Sequence, residues 1–216
     1  WVRIMGQIIY YFWSYFRVNH KLEPISFVVP TGNFGNAYAG YTAKKMGLPI
    51  KSIVISSNKN DVLTRFFESG NMFLKETQKS LSPSMDIQVS SNFERLLFDF
   101  CKNGKIIKRL FRNLETKKEF VVNNKYLDQM KSFFESGKLN DRDTLSAIRF
   151  INKKYNIISD PHTAVGYAVG RKILAKNQKR IYLATAHYGK FLETVKKGAK
   201  TKIKYPKKLE KLFTLQ

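Results

Sequence analysis

Residues 28–37, with the sequence VVPTGNFGNA, decide the fold that we predict for this chain. An apolar, β-branched run ends here and a helix-favouring segment begins, with two glycines and two asparagines in the turn between them. A helix that follows a strand presents unsatisfied N–H groups and the positive end of its dipole at such a turn. Gly32 and Gly35 let the backbone curl and let an anion approach closely, while Asn33 and Asn36 add donors. The turn indicates either a phosphate-binding loop or an ordinary strand-to-helix connection with capping residues.

The spacing of these glycines does not identify a nucleotide. A dinucleotide-binding turn would read G-x-G-x-x-G, and a nucleoside-triphosphate loop would read G-x-x-x-x-G-K-[ST]. The turn has neither pattern.

The order of the predicted elements indicates an α/β fold. Residues 25–29 and 51–56 predict buried strands, and residues 36–46 between them predict a helix that ends at Gly47. A strand, a helix and a second strand in this order are typical of a parallel sheet. After the second strand, the sequence predicts a helix capped by Asn60 and ending before Gly70, a loop at 71–90, and a helix opened by a capping box of Ser91 and Glu94. Helices are also predicted at 125–136 and 141–154, and a helix capped by Asp160 from about His162 to Ala175. The last predicted elements are a strand at 180–185 and a helix from about His187. No repeat or low-complexity linker divides residues 1–216, which predicts a single α/β region.

The first 18 residues, WVRIMGQIIYYFWSYFRV, are the only candidate for a membrane span. Arg3 and Gln7 interrupt them, and the apolar run is shorter than the ~20 residues that a span requires. Apolar residues at helical spacing, extended around the helix by others, predict a helix buried on most of its sides: Trp1, Met5, Ile8, Phe12 and Tyr15, with Tyr11 and Trp13. A chain that begins inside such a helix is expected to be incomplete at its N-terminus.

The charge balance raises an alternative function. The chain carries 39 basic and 16 acidic residues, a formal charge of +23, which is typical of nucleic-acid-binding proteins. However, Lys outnumbers Arg about three to one, and Asn, Ile, Phe and Tyr are also abundant, a composition that AT-rich codons alone would produce. The lysines are dispersed except in a basic tail from Lys196 to Lys211, and no nucleic-acid-binding motif is present. A basic nucleic-acid-binding module is therefore the alternative, and we expect no specific nucleic-acid partner.

Candidate catalytic side chains are few. Cys101 is the single cysteine, which excludes a disulfide framework and fits a cytoplasmic compartment, and helical spacing predicts it in the core. His20 is predicted at the surface, whereas capping and catalytic roles are both open for His162 at a helix start. His187 directly follows a predicted strand, at the edge where α/β sheets bind ligands. Neither a metal-ligand spacing nor a G-x-S-x-G motif is present, so no metal site is predicted.

Five motifs occur in order and together resemble the C-terminal portion of the threonine synthase family: RIMGQIIYYF (3–12), PTGNFGN (30–36), MDIQVSSNFERLLFDF (85–100), SDPHTAVGYA (159–168) and TAHYGKF (185–191). The resemblance extends from the first residues to about Val195. It implies the three-layer, open, mostly parallel sheet of the tryptophan-synthase-β-like enzymes, which depend on pyridoxal 5′-phosphate (PLP). It also implies a lyase of threonine biosynthesis that converts O-phospho-L-homoserine and water to L-threonine and phosphate.

The resemblance also assigns cofactor-binding residues. The glycine–asparagine loop of the family holds the PLP phosphate, and this loop corresponds to Gly32, Asn33, Phe34 and Asn36 here. The threonine that faces the pyridine nitrogen corresponds to Thr185. Because a hydroxyl does not force protonation of that nitrogen as a carboxylate would, a neutral partner would tune the cofactor.

The chain departs from the family at three points. The family's Ala-His-Pro-Ala-Lys-Phe reads AHYGKF at residues 186–191, and Ser90 stands where proline is usual. The Schiff-base lysine of the family lies upstream of the matched region, so no lysine here is assigned as catalytic. We therefore expect this chain alone to be inactive. It could be one half of a split enzyme whose N-terminal half is separately encoded, a non-catalytic PLP- or phosphate-binding remnant, or a piece of a longer sequence.

Overall fold

The structure, a computed structural model, describes residues 1–201 and 203, so most of the predicted basic tail lies outside the described residues. The helices are α1 (Val2–Val18), α2 (Gly35–Lys45), α3 (Val62–Ser69), α4 (Phe93–Cys101), α5 (Gly104–Lys117), α6 (Asn124–Lys131), α7 (Asp141–Tyr155), α8 (Pro161–Ile173) and α9 (Leu192–Ala199). The strands are β1 (Ile25–Pro30), β2 (Ile50–Ser57), β3 (Asn71–Phe73), β4 (Glu119–Val121), β5 (Phe134–Lys138) and β6 (Arg180–Tyr182). Short 3-10 turns lie at Pro83–Met85 and Tyr188–Phe191.

Four strands form a parallel sheet in the order β5-β2-β1-β6. The chain moves outward from β1 through β2 to β5 and then returns across β1 to form β6 on its other side. The order of the strands therefore reverses at β1. In open α/β sheets the carboxyl end of the strand at such a reversal is the usual position of a ligand.

Helices cover both faces of this sheet. Alternate residues of a strand point to opposite faces, so Phe27 and Val29 join the large core with α1 and α2, whereas Val28 joins a second core with Val165 and Val169 of α8. Strands that are buried on both faces are apolar without alternation, which is why the sequence revealed them. The predicted three-layer α/β fold is confirmed, and β3 and β4 form a separate antiparallel pair.

The helix predicted at the start of the chain is confirmed as α1, but the prediction that most of its sides are buried is wrong. Only one side packs on the core, through Ile4, Tyr11 and Tyr15. Most of its other large apolar side chains are exposed among the described residues: Trp1, Val2, Met5, Ile9, Tyr10, Trp13, Phe16 and Val18. No helix in the described part of the chain has both the length and the apolar character needed to cross a membrane.

Two predicted helix caps are wrong. α3 begins after Asp61 instead of after Asn60. The side chain of Asn60 instead accepts from the Gln78 N–H at 2.8 Å and donates to the Gln78 carbonyl at 2.7 Å. α4 begins after Asn92 without a side-chain cap, so Ser91 and Glu94 form no capping box. At Asn60, a partner 18 residues away prevailed over the local capping pattern.

Several predicted boundaries also differ from the structure. The helix predicted at 125–136 ends at Lys131, and β5 follows because residues 134–138 pair with β2. The segment 71–90 contains β3 in addition to loop. The strand predicted at 180–185 is limited to β6, and a 3-10 turn precedes α9 in place of a helix from His187. α5 and β4 were not predicted, although the buried residues of α5 recur at helical spacing.

Candidate functional site

The turn that follows β1 forms one wall of a cavity of about 400 Å³. β1 ends at Pro30 and α2 begins at Gly35. Between them, Asn33 Oδ1 accepts a hydrogen bond from the Gly35 N–H at 3.0 Å, and Phe34 has a φ of +64°. An asparagine that bonds to the main chain two residues later is a common way to form a turn. These two features redirect the chain from the strand into the helix.

Neighbouring residues hold the carbonyl groups of this turn from outside. Ser90 Oγ donates to the Gly32 carbonyl at 2.6 Å, and Asn92 donates to the Asn33 carbonyl from its main-chain N at 3.1 Å and its Nδ2 at 3.0 Å. Ser90 stands where proline is usual in the family that the motifs resemble, and its hydroxyl supplies an anchor that proline lacks. The residues just before α4 therefore hold the turn in place.

Most N–H groups of the turn, in contrast, have no protein acceptor. Five of them donate to no acceptor among residues 1–201 and 203: those of Gly32, Asn33, Phe34, Asn36 and Ala37. Gly32, Asn33 and Asn36 line the cavity, whereas Phe34 and Ala37 are buried behind it. They precede or begin α2, an 11-residue helix whose dipole places partial positive charge here. Among the described residues that line the cavity, Arg3 is charged and no aspartate or glutamate is present. The wall is therefore suited to an anion.

Close contacts require a glycine at position 32 and leave little room for a side chain at position 35. A Cβ at Gly32 would lie 2.6 Å from the carbonyl oxygen of Ser84, and a Cβ at Gly35 would lie 3.2 Å from Asn33 Oδ1. Ser84 belongs to the 3-10 turn at residues 83–85, and both Ser84 and Met85 line the same cavity. At Gly32 the missing side chain thus leaves room for the neighbouring wall.

The structure brings four of the five predicted site residues to this cavity, which is lined by Gly32, Asn33, Asn36 and Thr185. Thr185 follows β6 and is exposed, with its N–H 3.4 Å from Thr163 Oγ1. The side chain of Phe34 is in the core, 1 % exposed and edge-on to Phe93 at 5.1 Å between ring centroids. Phe34 therefore contributes to the turn through its main chain.

The three histidines lie in different environments. His20 is exposed, as predicted. His162 is buried, and both of its ring nitrogens have protein partners, Asp160 Oδ1 at 2.9 Å and the Ser84 N–H at 3.2 Å. His187 does not line the cavity; its Nδ1 accepts from the Gly189 N–H at 3.1 Å. The cap of α8 is Asp160, so the capping role left open for His162 is wrong; His162 lines the cavity with both ring nitrogens engaged by protein groups.

The part of the cavity wall that α1 supplies was not predicted from the sequence. Arg3, Gln7 and Tyr10 all line the cavity. In the sequence, Arg3 and Gln7 are polar interruptions of an apolar helix. Because a polar side chain on such a helix needs a polar environment, these two residues were the signal in the sequence that this helix borders a polar site.

The other candidate sites in the described part of the chain lack a comparable set of groups that could bind a ligand. A larger groove of about 1060 Å³ lies beside α4 and α5, but acidic and basic side chains are interspersed along it. Cys101 is buried in the core as predicted, where desolvation raises the pKa of its thiol. The described residues contain no group of three histidine, cysteine, aspartate or glutamate side chains placed to hold a metal ion.

Comparisons with known proteins agree with the five motifs. The family described as "Threonine synthase, C-terminal" matches residues 163–216. Threonine synthase of Pseudomonas aeruginosa is 40% identical over 201 residues, covering 92% of this chain and 43% of that protein. Threonine synthase of Saccharomyces cerevisiae is 38% identical over 247 residues, covering 100% of this chain and 48% of that protein. The chain spans about half the length of the curated relatives that it matches.

A solved structure also matches this chain over about half of its own length. The crystal structure of PLP-bound threonine synthase from Brucella melitensis superimposes with a TM-score of 0.95 at 38% identity, covering 100% of this chain and 47% of that one. The resemblance to the C-terminal portion of threonine synthase and the predicted tryptophan-synthase-β-like fold are thereby confirmed.

Proposed function

We propose that this chain, which corresponds in sequence and fold to the C-terminal portion of threonine synthase, binds the phosphate group of PLP in the turn between β1 and α2. The observation that carries the proposal is the set of N–H groups without acceptors at the start of α2, beside Arg3. Phosphate is the anion that such donors commonly bind at a helix N-terminus.

The residues present fit this cofactor. The cavity of about 400 Å³ lies within the range usual for small-molecule sites. Gly32, Asn33 and Asn36, whose N–H groups have no protein acceptor, border one part of it, and Thr185 borders another. No carboxylate among the described lining residues would repel a phosphate.

Each residue has a distinct task in this proposal. Gly32, Asn33, Phe34 and Asn36 hold the phosphate through their main-chain N–H groups. Thr185, which lines the cavity, would supply a neutral hydroxyl to the pyridine nitrogen. When bound, PLP withdraws electrons from the substrate carbon attached to it. The residues of this chain orient the cofactor for that task.

The complete enzyme would convert O-phospho-L-homoserine and water to L-threonine and phosphate in the cytoplasm. The lysine that binds the cofactor aldehyde belongs, in the family, to the portion outside the matched region. An N-terminal part, within a longer chain or on a separate one, would therefore supply it. The substrate is a small molecule, and we propose no specific nucleic-acid partner.

Equilibrium dialysis of the 216-residue chain tests the phosphate site. We expect PLP to bind, pyridoxal without its phosphate to bind at least about tenfold more weakly, and inorganic phosphate to compete, because the donors face an anion. Thr185→Val should leave competition by inorganic phosphate unchanged, since it alters only the other end of the cavity. Equal binding of PLP and pyridoxal, or no binding of either, would refute the proposal.

A further inference from the structure

Asp160 makes more contacts than the cap of a helix requires. Its side chain is buried, and Oδ1 accepts from the N–H of His162 at 2.9 Å and of Thr163 at 3.3 Å, which caps α8 as predicted. Oδ1 also lies 2.9 Å from His162 Nδ1, and Oδ2 accepts from the hydroxyl of Thr163. By comparison, the caps of α5 and α6, Asn103 and Asn123, bond only to main-chain N–H groups.

The contact of Asp160 with His162 connects it to Ser84, in the cavity wall that faces the turn between β1 and α2. A carboxylate has only acceptor oxygens, so His162 Nδ1 must carry a hydrogen and donate a hydrogen bond to Asp160. In the neutral ring Nε2 is then an acceptor, and the Ser84 N–H lies 3.2 Å from it. The Ser84 carbonyl in turn fills the space beside Gly32. Asp160 is thus connected through His162 and Ser84 to the turn between β1 and α2.

The second side-chain contact leads to the ring end of the cavity. Because Oδ2 can only accept, the Thr163 hydroxyl must donate a hydrogen bond to Asp160. Its lone pairs are then directed elsewhere, and the Thr185 N–H lies 3.4 Å from this oxygen. Thr185 is the residue that we place opposite the pyridine nitrogen.

We propose that Asp160 is a positioning residue that sets both ends of the cofactor cavity. One buried carboxylate fixes the hydrogen-bonding direction of His162, which holds the wall beside Gly32, and of Thr163, which holds Thr185. This inference rests on the proposed function, because it assigns the two ends of the same cavity to the phosphate and the ring of PLP.

Three variants separate this role from helix capping. Asp160→Ser keeps a good N-cap for α8, but the two lone pairs of its single oxygen are then occupied by the main-chain N–H groups of His162 and Thr163, so neither side-chain connection retains an acceptor. His162→Phe removes only the connection to Ser84, and Thr163→Val removes only the connection to Thr185. Thr144→Val is the matched control, because its buried hydroxyl donates to a carbonyl at the start of α7, at 2.8 Å, and does not line the cavity.

The first measurement is hydrogen exchange of the Ser84 amide, followed by NMR in the chain without ligand. We expect exchange to accelerate about fivefold in Asp160→Ser and His162→Phe, because one hydrogen bond is lost, and to stay unchanged in Thr163→Val and Thr144→Val. The second measurement is the fluorescence of bound PLP. It should change in Asp160→Ser and Thr163→Val and stay unchanged in the control.

The two hypotheses fail differently. If Asp160→Ser leaves both Ser84 exchange and PLP fluorescence as in the wild type, Asp160 only caps α8 and this inference is wrong, while PLP binding by the wild type still supports the proposed function. If the wild type binds no PLP, the proposed function is wrong. The Ser84 exchange rates then decide whether Asp160 sets the wall.

Discussion

Replacing Gly32 by alanine adds a single methyl group between the two walls of the cavity. The new Cβ would lie 2.6 Å from the Ser84 carbonyl oxygen, whereas ordinary contact begins at 3.4 Å, so the walls must separate by about 0.8 Å. The Ser84 oxygen belongs to the main chain and cannot rotate away as a flexible side chain would. Because Gly32 is not among the residues with positive φ, alanine meets no backbone strain, and the contact alone is tested.

The expected magnitude follows from two opposing effects. Overpacking costs about 1–3 kcal/mol, while replacing glycine stabilises the folded state by about 0.4–1 kcal/mol through the unfolded chain. We expect the free energy of unfolding to fall by about 1–2 kcal/mol, as measured by urea titration with circular dichroism. PLP affinity should fall about tenfold in dialysis, because displacing a wall changes the shape of the cavity.

Gly104→Ala is the matched control for this substitution. A Cβ at Gly104 would meet no atom within 4 Å, so only the effect on the unfolded chain remains: its stability should rise by about 0.4–1 kcal/mol and its PLP affinity should not change. If Gly32→Ala is as stable as Gly104→Ala and binds PLP as the wild type does, the two walls do not touch as described, and the reasoning is refuted.

Four further predictions concern stability, pH, activity and charge. Tyr11→Phe should lower the free energy of unfolding by about 1–3 kcal/mol, because the buried hydroxyl donates at 2.7 Å to a carbonyl at the start of α2; Tyr10→Phe, at an exposed site, should have no effect in the same urea titration. Burial raises the pKa of Asp61, but hydrogen bonds from Lys138 and Arg65 outweigh it and hold that pKa below the usual 3.8. The stability from this group is therefore present above about pH 4 and lost as the pH falls through the lowered pKa, so Asp61→Asn should flatten the acid side of a stability–pH profile; an unchanged profile would contradict this. The chain alone should release no phosphate from O-phospho-L-homoserine with PLP, and release should begin when the N-terminal portion of a threonine synthase is added; turnover by the chain alone would overturn the assignment. Binding to DNA should be weak and should decrease steeply with salt in a fluorescence titration, and sequence-selective binding at physiological salt would instead favour the nucleic-acid alternative.

Local sequence patterns were sufficient where an element is specified by its own residues. The centres of the two middle strands, residues 27–29 and 53–55, are buried on both faces of the sheet, so these residues had to be apolar without alternation. β5 has the sequence FESGK, with two charged residues and a glycine, and its pairing with β2 makes it a strand. Since strand preference depends on neighbours, this pairing could not be read from the segment alone.

The sequence by itself determined the turn at residues 30–36, because a chain that leaves a buried strand and enters a helix within a few residues needs glycine and asparagine there. The tertiary structure alone decided what lies around that turn. Arg3 and Gln7 come from α1, Ser84 from a loop and His162 from α8, all distant in sequence from the turn. These side chains meet because burying the apolar faces of α1 and α8 against opposite sides of one sheet brings their polar residues to the carboxyl edge of β1. Burial acts on the whole chain at once, and no local pattern of residues records which polar groups it will bring together.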